Sequence, residues 1–319
     1  MSTKKKIRIF QRSLARYGLY AFNWFFSYMP YGVVRFTTKI LIFIGFQFTI
    51  RQKRSAKESL QIAFGKEKNE KEIDEIIKKC FVGFGYDMAE MLYFLSHPKM
   101  VKEKVIIKGR EYLDEALKKG KGVIAVTAHL GNFPLLMLKL ANEGYNASAI
   151  IRQTRDPELT EYLHKRRDQV GLKTIYALPR QECVNNTIKT LRENGVVFIP
   201  VDQNFGDDGG VYVDFFGQKA ATATGPIVFA TRTKAVILPM FIIRDHDDVH
   251  TVIIEKPHTV EERSNDKETV VVNMAKITKL VEKYVREYPH EWAWMHRRWK
   301  SQPLPHRKNL VEIYEKNVK

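Results

Sequence analysis

The chain has 319 residues, 53 lysines and arginines against 36 acidic residues for a net charge of +17, and two cysteines. That length accommodates one large α/β domain with a substantial core and a short terminal extension, and no internal repeat or Pro/Gly/Ser-rich linker divides it. Cys80 and Cys183 stand in unrelated contexts, which argues against a disulfide framework or a cysteine-based metal site, reads as packed thiols and fits a reducing compartment.

The charge is unevenly spread. Residues 1–16 carry six bases and no acid, and residues 296–319 carry seven bases against two acids, so the two ends supply eleven of the seventeen positive charges. Such clusters suit lipid headgroups, nucleic acid or an acidic carrier protein, or else form a solvated basic surface. The next segment narrows the choice. Residues 17–34 contain no charged side chain and are rich in Trp, Tyr and Phe, and after Arg35 and Lys39 residues 40–50 are uncharged again. The stretch approaches the roughly 20 residues of a membrane span, but Pro30, Gly32 and two bases interrupt it. Residues 1–50 are therefore expected to form a basic flank and a membrane-anchoring helical segment, whether spanning, re-entrant or interfacial, with its bases in the cytoplasm. No small-x-small cleavage site follows, so the anchor is expected to be retained. Residues 51–319 are expected to form the globular domain, and a nucleic-acid binder has no use for such an arm.

Further along, residues 71–94 place Ile73, Ile76, Ile77, Cys80, Phe81 and Phe84 at helical spacing. Residues 123–127 read as a buried strand, 135–141 as a helix, 147–151 as a second strand, 158–170 as a charged helix and 174–177 as a short strand. A helix over 184–193, a buried strand over 196–201, a helix over 227–233, strands over 235–243 and 249–254, and a long helix over 269–287 complete the alternation. This pattern predicts a single α/β domain with a mixed, largely parallel sheet flanked by helices.

The richest stretch is Gly122-Val-Ile-Ala-Val-Thr-Ala-His129-Leu-Gly-Asn-Phe-Pro134. A short apolar run that stops on His-Leu-Gly-Asn and then a proline delivers His129 to the point where a strand ends and a helix begins, the end at which open α/β sheets carry their active sites. Gly131 permits the tight turn, and Pro134 suits the first helical position, where its missing N–H costs nothing. Asp202 ends the run Val196-Val-Phe-Ile-Pro-Val201 at the tip of another buried strand. A carboxylate there is costly to desolvate unless paired, with His129 or an arginine as partner.

His129-Leu-Gly-Asn-Phe resembles the His-x4-Asp/Glu block of the lipid A late acyltransferases, the lauroyl- and myristoyl-transferase family of bacterial outer-membrane biosynthesis. The likeness continues in family order through Gly109-Arg-Glu-Tyr-Leu-Asp-Glu-Ala-Leu-Lys-Lys-Gly-Lys-Gly122, Asp202-Gln203, Phe215-Phe216-Gly217 with Ala221-Thr222-Ala-Thr-Gly225-Pro226, and Pro289-x-x-Trp292-x-Trp294-x-His296-Arg-Arg-Trp299, covering roughly residues 50 to 300. It implies transfer of a fatty acyl group from an acyl thioester, on acyl carrier protein or coenzyme A, to a hydroxyl of a phosphorylated lipid A precursor. The implied place is the cytoplasmic face of the bacterial inner membrane, with no metal or tightly bound cofactor. A hydroxyl is a poor nucleophile at neutral pH and needs a base as it attacks, and an imidazole, with an ordinary pKa of about 6.5, suits that task. His129 is that implied base.

One position departs from the family. Pro134 stands where the family has the acid that orients the imidazole. Asp202 is the leading substitute; an unassisted imidazole, or an inactive homologue that binds lipid or scaffolds other proteins, are the alternatives, and another membrane glycolipid or a lysolipid is the alternative acceptor. Arg167, with Arg166 beside it, resembles the arginine of the family's Arg-x3-Gly segment and is expected to grip phosphate or pantetheine phosphate, with Arg152 and Arg180 as further phosphate contacts; a solvated helix face is the other reading. The turn Gly131-Asn132 is placed to offer backbone N–H groups to an oxyanion, or Asn132 simply caps a helix. Phe215 and Phe216 line an acyl-chain cleft or belong to the core. Asp207-Asp208-Gly209-Gly210 lacks calcium-loop spacing and reads as an exposed turn. The tryptophan-rich tail is expected to pack or touch the membrane interface, with no chemistry assigned to it.

Overall fold

The computed structural model describes residues 3–206, 210–245 and 248–301. Residues 207–209, read above as part of an exposed turn, and the basic stretch beyond residue 301 lie outside the described residues. The chain opens with α1 (Thr3–Tyr28), α2 (Tyr31–Phe48), α3 (Ile50–Phe64) and α4 (Glu70–Ser96). There follow α5 (Pro98–Lys104), β1 (Val105–Lys108), α6 (Arg110–Lys118), β2 (Val123–Thr127), α7 (Phe133–Asn142), β3 (Ala147–Ile151), α8 (Pro157–Asp168), β4 (Lys173–Tyr176), α9 (Arg180–Arg192) and β5 (Val196–Pro200). A hairpin, β6 (Val211–Phe215) with β7 (Gln218–Thr222), then leads to α10 (Gly225–Thr233), β8 (Val236–Arg244), β9 (His250–Ile254) and α11 (Asp266–Glu287).

The seven-stranded sheet has the order β1-β9-β8-β2-β5-β3-β4. Five strands from β8 to β4 are parallel, and β9 turns back antiparallel to β8 with β1 parallel to β9. The expected single α/β domain with a mixed, largely parallel sheet is therefore the fold. Every residue of β2 is buried, because its side chains serve two cores in alternation. Ile124 and Val126 pack with α3, α9, α10 and α11, whereas Val123 and Ala125 pack with α5, α6 and α7. Burial on both faces is what makes this strand read as a continuous apolar run rather than an alternating one.

The hairpin was not among the predicted elements. Its turn places Phe216 and Gly217 both at positive φ, 54° and 72°, the geometry of a type I′ turn, which a sequence usually announces with Asn-Gly rather than Phe-Gly. Phe216 tolerates this backbone because its N–H bonds the Glu282 carboxylate at 2.7 Å and its ring is buried against Phe64, Phe215 and Trp294.

Among the described residues no single helix is long and apolar enough to cross a membrane; α2 and α3 pass that test only together, bent by 81°. The N-terminal segment is a helical arm laid against the rest of the chain. Arg16 of α1 pairs with Asp156 at 2.9 Å, Asn23 bonds Tyr162 at 2.7 Å, and Ser27 bonds Ser96 at 2.7 Å. The outer faces of α1 and α2 leave Trp24, Tyr28, Phe36, Phe43 and Phe48 exposed, from 65 to 81%.

A buried ionic cluster joins this arm to the sheet. Arg244, at the end of β8, donates to Asp87 at 2.6 Å and to both oxygens of Glu90 at 2.9 and 2.8 Å. Glu90 also meets His250 at 3.0 Å and accepts from Tyr31 of α2 at 2.8 Å. Burial alone pushes Glu90 up, but the hydrogen bonds from His250 and Arg244 outweigh it and hold its carboxyl well below the usual range. Removing the cation leaves two acids buried without it, so Arg244→Ala is expected to cost about 3–5 kcal/mol. Chemical denaturation checks this, and a loss under about 1 kcal/mol would show the cluster to be solvated rather than buried.

Candidate active site

The parallel register of β2 and β5 builds the centre of the site. Thr127 pairs with Pro200, and the ladder runs on through the Val201 N–H, which donates to the Thr127 carbonyl at 3.0 Å. His129 and Asp202 each lie two positions beyond those strand ends, so they face one another across adjacent strands. The Asp202 carboxylate accepts from the His129 backbone N–H at 2.9 Å and stands 2.8 Å from His129 Nδ1. Trp292 Nε1 donates to the same carboxylate at 2.7 Å.

Asp202 is buried, and burial raises its pKa, but the His129 ring, the His129 backbone N–H and the Trp292 indole outweigh that and bring it down to about 2. It is ionised at neutral pH. With Nδ1 turned to Asp202, Nε2 of His129 is the nitrogen left to take part in chemistry.

The pocket beside His129 has a volume of about 40 Å³ and is walled by α4 (Phe84, Asp87, Met88), by Phe133 and Pro134 at the start of α7, and by the segment that carries Glu291, Trp292 and His296. Pro134 lines it where the resembling family has its acid. Cys80, also on the wall, has its thiol pushed up to about 12 by burial and donates to the Trp292 carbonyl at 3.1 Å, so it is a packed thiol and not a nucleophile. A second, apolar groove of about 390 Å³ runs between α1, α2 and α4, and Phe84 and Met88 belong to both. At Phe46 that groove meets a third depression, rimmed by Lys53, Arg54, Lys57 and Lys78.

Several expected site residues sit elsewhere. Arg167 Nε bonds Thr174 on β4 at 2.9 Å, and β4 is three strands from β2, about 14 Å at ordinary strand spacing. Arg166 bonds Ser96 at 2.6 Å, nine residues along α4 from Asp87 and so about 13 Å away. Both cap the lower end of α8 because an αβ crossover returns its helix to the amino ends of the strands. Arg152 and Arg180 are exposed at the carboxyl rim after β3 and β4. The Gly131 N–H does not point at the pocket; it bonds the Glu291 carbonyl at 2.8 Å. Gly131 itself is required by close packing, with φ +56° and a position where a Cβ would lie 2.4 Å from the Ile242 carbonyl oxygen. Asn132 is the cap of α7, accepting from the Leu135 N–H at 3.3 Å and buried against Asp87 and Glu90. Phe215 and Phe216 are core, packed edge-to-face or tilted against Trp292, Trp294 and Trp299, and line none of the cavities described above.

The tail assigned no chemistry is part of the site. Ala293 N–H donates to the His129 carbonyl at 3.2 Å, and Leu130 bridges Trp292 in antiparallel fashion. His296 sits 5.5 Å from His129 between ring centroids and 3.0 Å from Gln203 Nε2. Buried Arg298 binds the Gln203 carbonyl at 3.0 Å, the Ala221 carbonyl and the Thr222 hydroxyl, tying the loop after Asp202 to the hairpin. The clustering of Trp with His-Arg-Arg was the available signal, since so much aromatic and cationic side chain is rarely left unburied and unpaired together.

This is the arrangement of an α/β transferase built round a histidine–carboxylate pair. The profile described as bacterial lipid A biosynthesis acyltransferase matches residues 1–301, and the chain belongs to that family of acyltransferases. It is 25% identical to the lipid A biosynthesis lauroyltransferase of Escherichia coli (strain K12) over 88% of this chain and 89% of that protein. It is 22% identical to the lipid A biosynthesis palmitoleoyltransferase of the same organism, with the same coverage of each. A solved 1-acyl-sn-glycerophosphate acyltransferase from Thermotoga maritima, 15% identical, aligns over 78% of this chain and 96% of its own with a TM-score of 0.37.

Glu291 yields a prediction. Its side chain is 8% exposed, and burial, opposed by Arg244 and reinforced by Glu90, raises its pKa from 4.5 to about 7. The folded state therefore keeps a proton that the unfolded chain gives up, and stability falls as pH rises from about 4.5 to about 7. Glu291→Gln is expected to melt roughly 2–4 °C above the native chain at pH 8 and level with it at pH 4.5. An equal offset at both pH values would mean that Glu291 is ionised throughout.

Proposed function

We propose that the chain transfers a fatty acyl group from a thioester to a hydroxyl of a phosphorylated lipid A precursor, with His129 as general base and Asp202 as its orienting carboxylate. The observation that carries this is the pair of contacts by which one buried carboxylate holds both the backbone and the ring of His129. His129 Nε2 takes the hydroxyl proton as the oxygen bonds to the thioester carbon. The tetrahedral oxyanion then collapses, the C–S bond breaks, and the imidazolium returns the proton to the departing sulfur. Asp202 keeps the proton on Nδ1 throughout and does the work of the acid absent at Pro134.

The acyl chain is assigned to the apolar groove that shares Phe84 and Met88 with the His129 pocket, and the basic rim of Lys53, Arg54, Lys57 and Lys78 to phosphate on the acceptor or on the carrier's pantetheine arm. The exposed aromatic faces of α1 and α2 suit interfacial attachment to a bilayer, and the basic surface suits anionic lipid on the cytoplasmic side.

Purified protein given acyl carrier protein and coenzyme A thioesters of several lengths, with lipid A precursors as acceptors, is expected to form an acylated precursor detectable by mass spectrometry. Asp202→Asn and His129→Ala are each expected to lower kcat/KM by roughly 10²–10⁴-fold. An Asp202→Asn rate within about threefold of the native one would remove it from the mechanism, and acylation of a different glycolipid in place of the precursor would reassign the acceptor. The groove has its own test. Gly45 lines it and has open space where a side chain would go, so Gly45→Phe is expected to shift preference to shorter acyl chains without loss of folding. An unchanged chain-length profile would place the acyl chain elsewhere.

A further inference from the structure

Acyl transfer through a tetrahedral intermediate needs a donor for the oxyanion as well as a base, and the expected donors are absent from the pocket. The Gly131 N–H is bonded to the Glu291 carbonyl and the Phe133 N–H to the Gly131 carbonyl. Leu130 and Asn132 are not among the residues that line the pocket. Arg166 and Arg167 lie at the other end of α8, on Ser96 and Thr174.

His296 occupies the vacant position in the chemistry. It lines the same small pocket as His129, with ring centroids 5.5 Å apart and planes inclined at 59°. Gln203, next to Asp202 in the chain, sets its tautomer. An amide nitrogen only donates, so the 3.0 Å contact from Gln203 Nε2 makes His296 Nε2 the acceptor and leaves the ring proton on Nδ1. Nδ1 has no hydrogen-bond partner among the described residues. Gln203 is itself held in place, its carbonyl bound by the buried Arg298 at 3.0 Å. Burial, and the proximity of His129, push the His296 pKa down, so the ring stays neutral when its neighbour takes up the substrate's proton.

We propose that His296 is a further catalytic residue, the neutral imidazole whose Nδ1–H hydrogen-bonds the oxyanion of the tetrahedral intermediate. A neutral imidazole is a suitable electrophile because it donates without competing for the proton that His129 must carry. The inference rests on the acyl transfer proposed above and adds the group that stabilises its charge.

The test is a variant series on the full chain. His296→Phe keeps the ring volume and removes the N–H, and is expected to lower kcat about 10²–10³-fold with KM within about threefold and the melting temperature unchanged. His296→Gln, which restores an N–H donor, is expected to recover at least tenfold over His296→Phe. Affinity for a phosphonate mimic of the tetrahedral intermediate is expected to fall in step with kcat/KM across the series, while affinity for a non-reactive thioether analogue of the donor stays level. If the native chain transfers acyl groups and His129→Ala does not, yet His296→Phe keeps its rate within threefold or loses only KM or stability, the inference is overturned and the acyl-transfer reading stands. If the native chain transfers nothing, both go.

Discussion

One buried carboxylate governs this structure. Asp202 is taken out of water at the tip of β5, where an unpaired charge would be prohibitive. It is sustained by three donors from two parts of the chain, the His129 ring and backbone and the Trp292 indole. The same contacts that make the charge tolerable fix the direction of the imidazole. A group that stabilises the fold only when His129 is correctly oriented links integrity of the sheet edge to the integrity of the site, and removing any donor would leave the buried carboxylate less completely paired.

Around that point the segment after α11 acts as a strap. Its backbone bonds the turn after β2, its tryptophans fill the space above the hairpin, and Arg298 reaches the loop after Asp202. On the other flank the Arg244, Asp87, Glu90 and His250 cluster joins β8 and β9 to α4, and Tyr31 extends it to α2. The arm whose outer face is apolar is therefore in hydrogen-bond contact with the framework of the pocket. Phe84 and Met88 of α4 stand on both sides of this junction, one face to the His129 pocket and one to the groove under the arm.

Elements with strong local signals were legible in the sequence. The strands 123–127 and 147–151 coincide with β2 and β3, and in β2 burial on both faces leaves a near-continuous apolar run. The hairpin was silent because Phe216 and Gly217 adopt a turn whose usual residues are absent, held by Glu282 from a distant helix. Asn132 and the Phe215-Phe216 pair each had two readings, and packing selected the cap and the core. Arg167 resembled a family residue by position in the chain, but it stands at the end of a crossover helix that returns to the amino ends of the strands, away from the active rim. Here its end lies beside β4, far from His129.

Composition, periodicity and strand-end chemistry determined the class of fold, the two strand tips that carry His129 and Asp202, and the resemblance that pointed to acyl transfer. Only the tertiary structure decided that those tips are neighbours. β2 and β5 are separated by three helical crossovers in the chain, and their pairing in register comes from the order in which the sheet assembles, a property of long-range packing and not of local spacing. The same holds for Trp292 and His296, which reach the site because the strap folds back over the sheet edge to bury its aromatic rings.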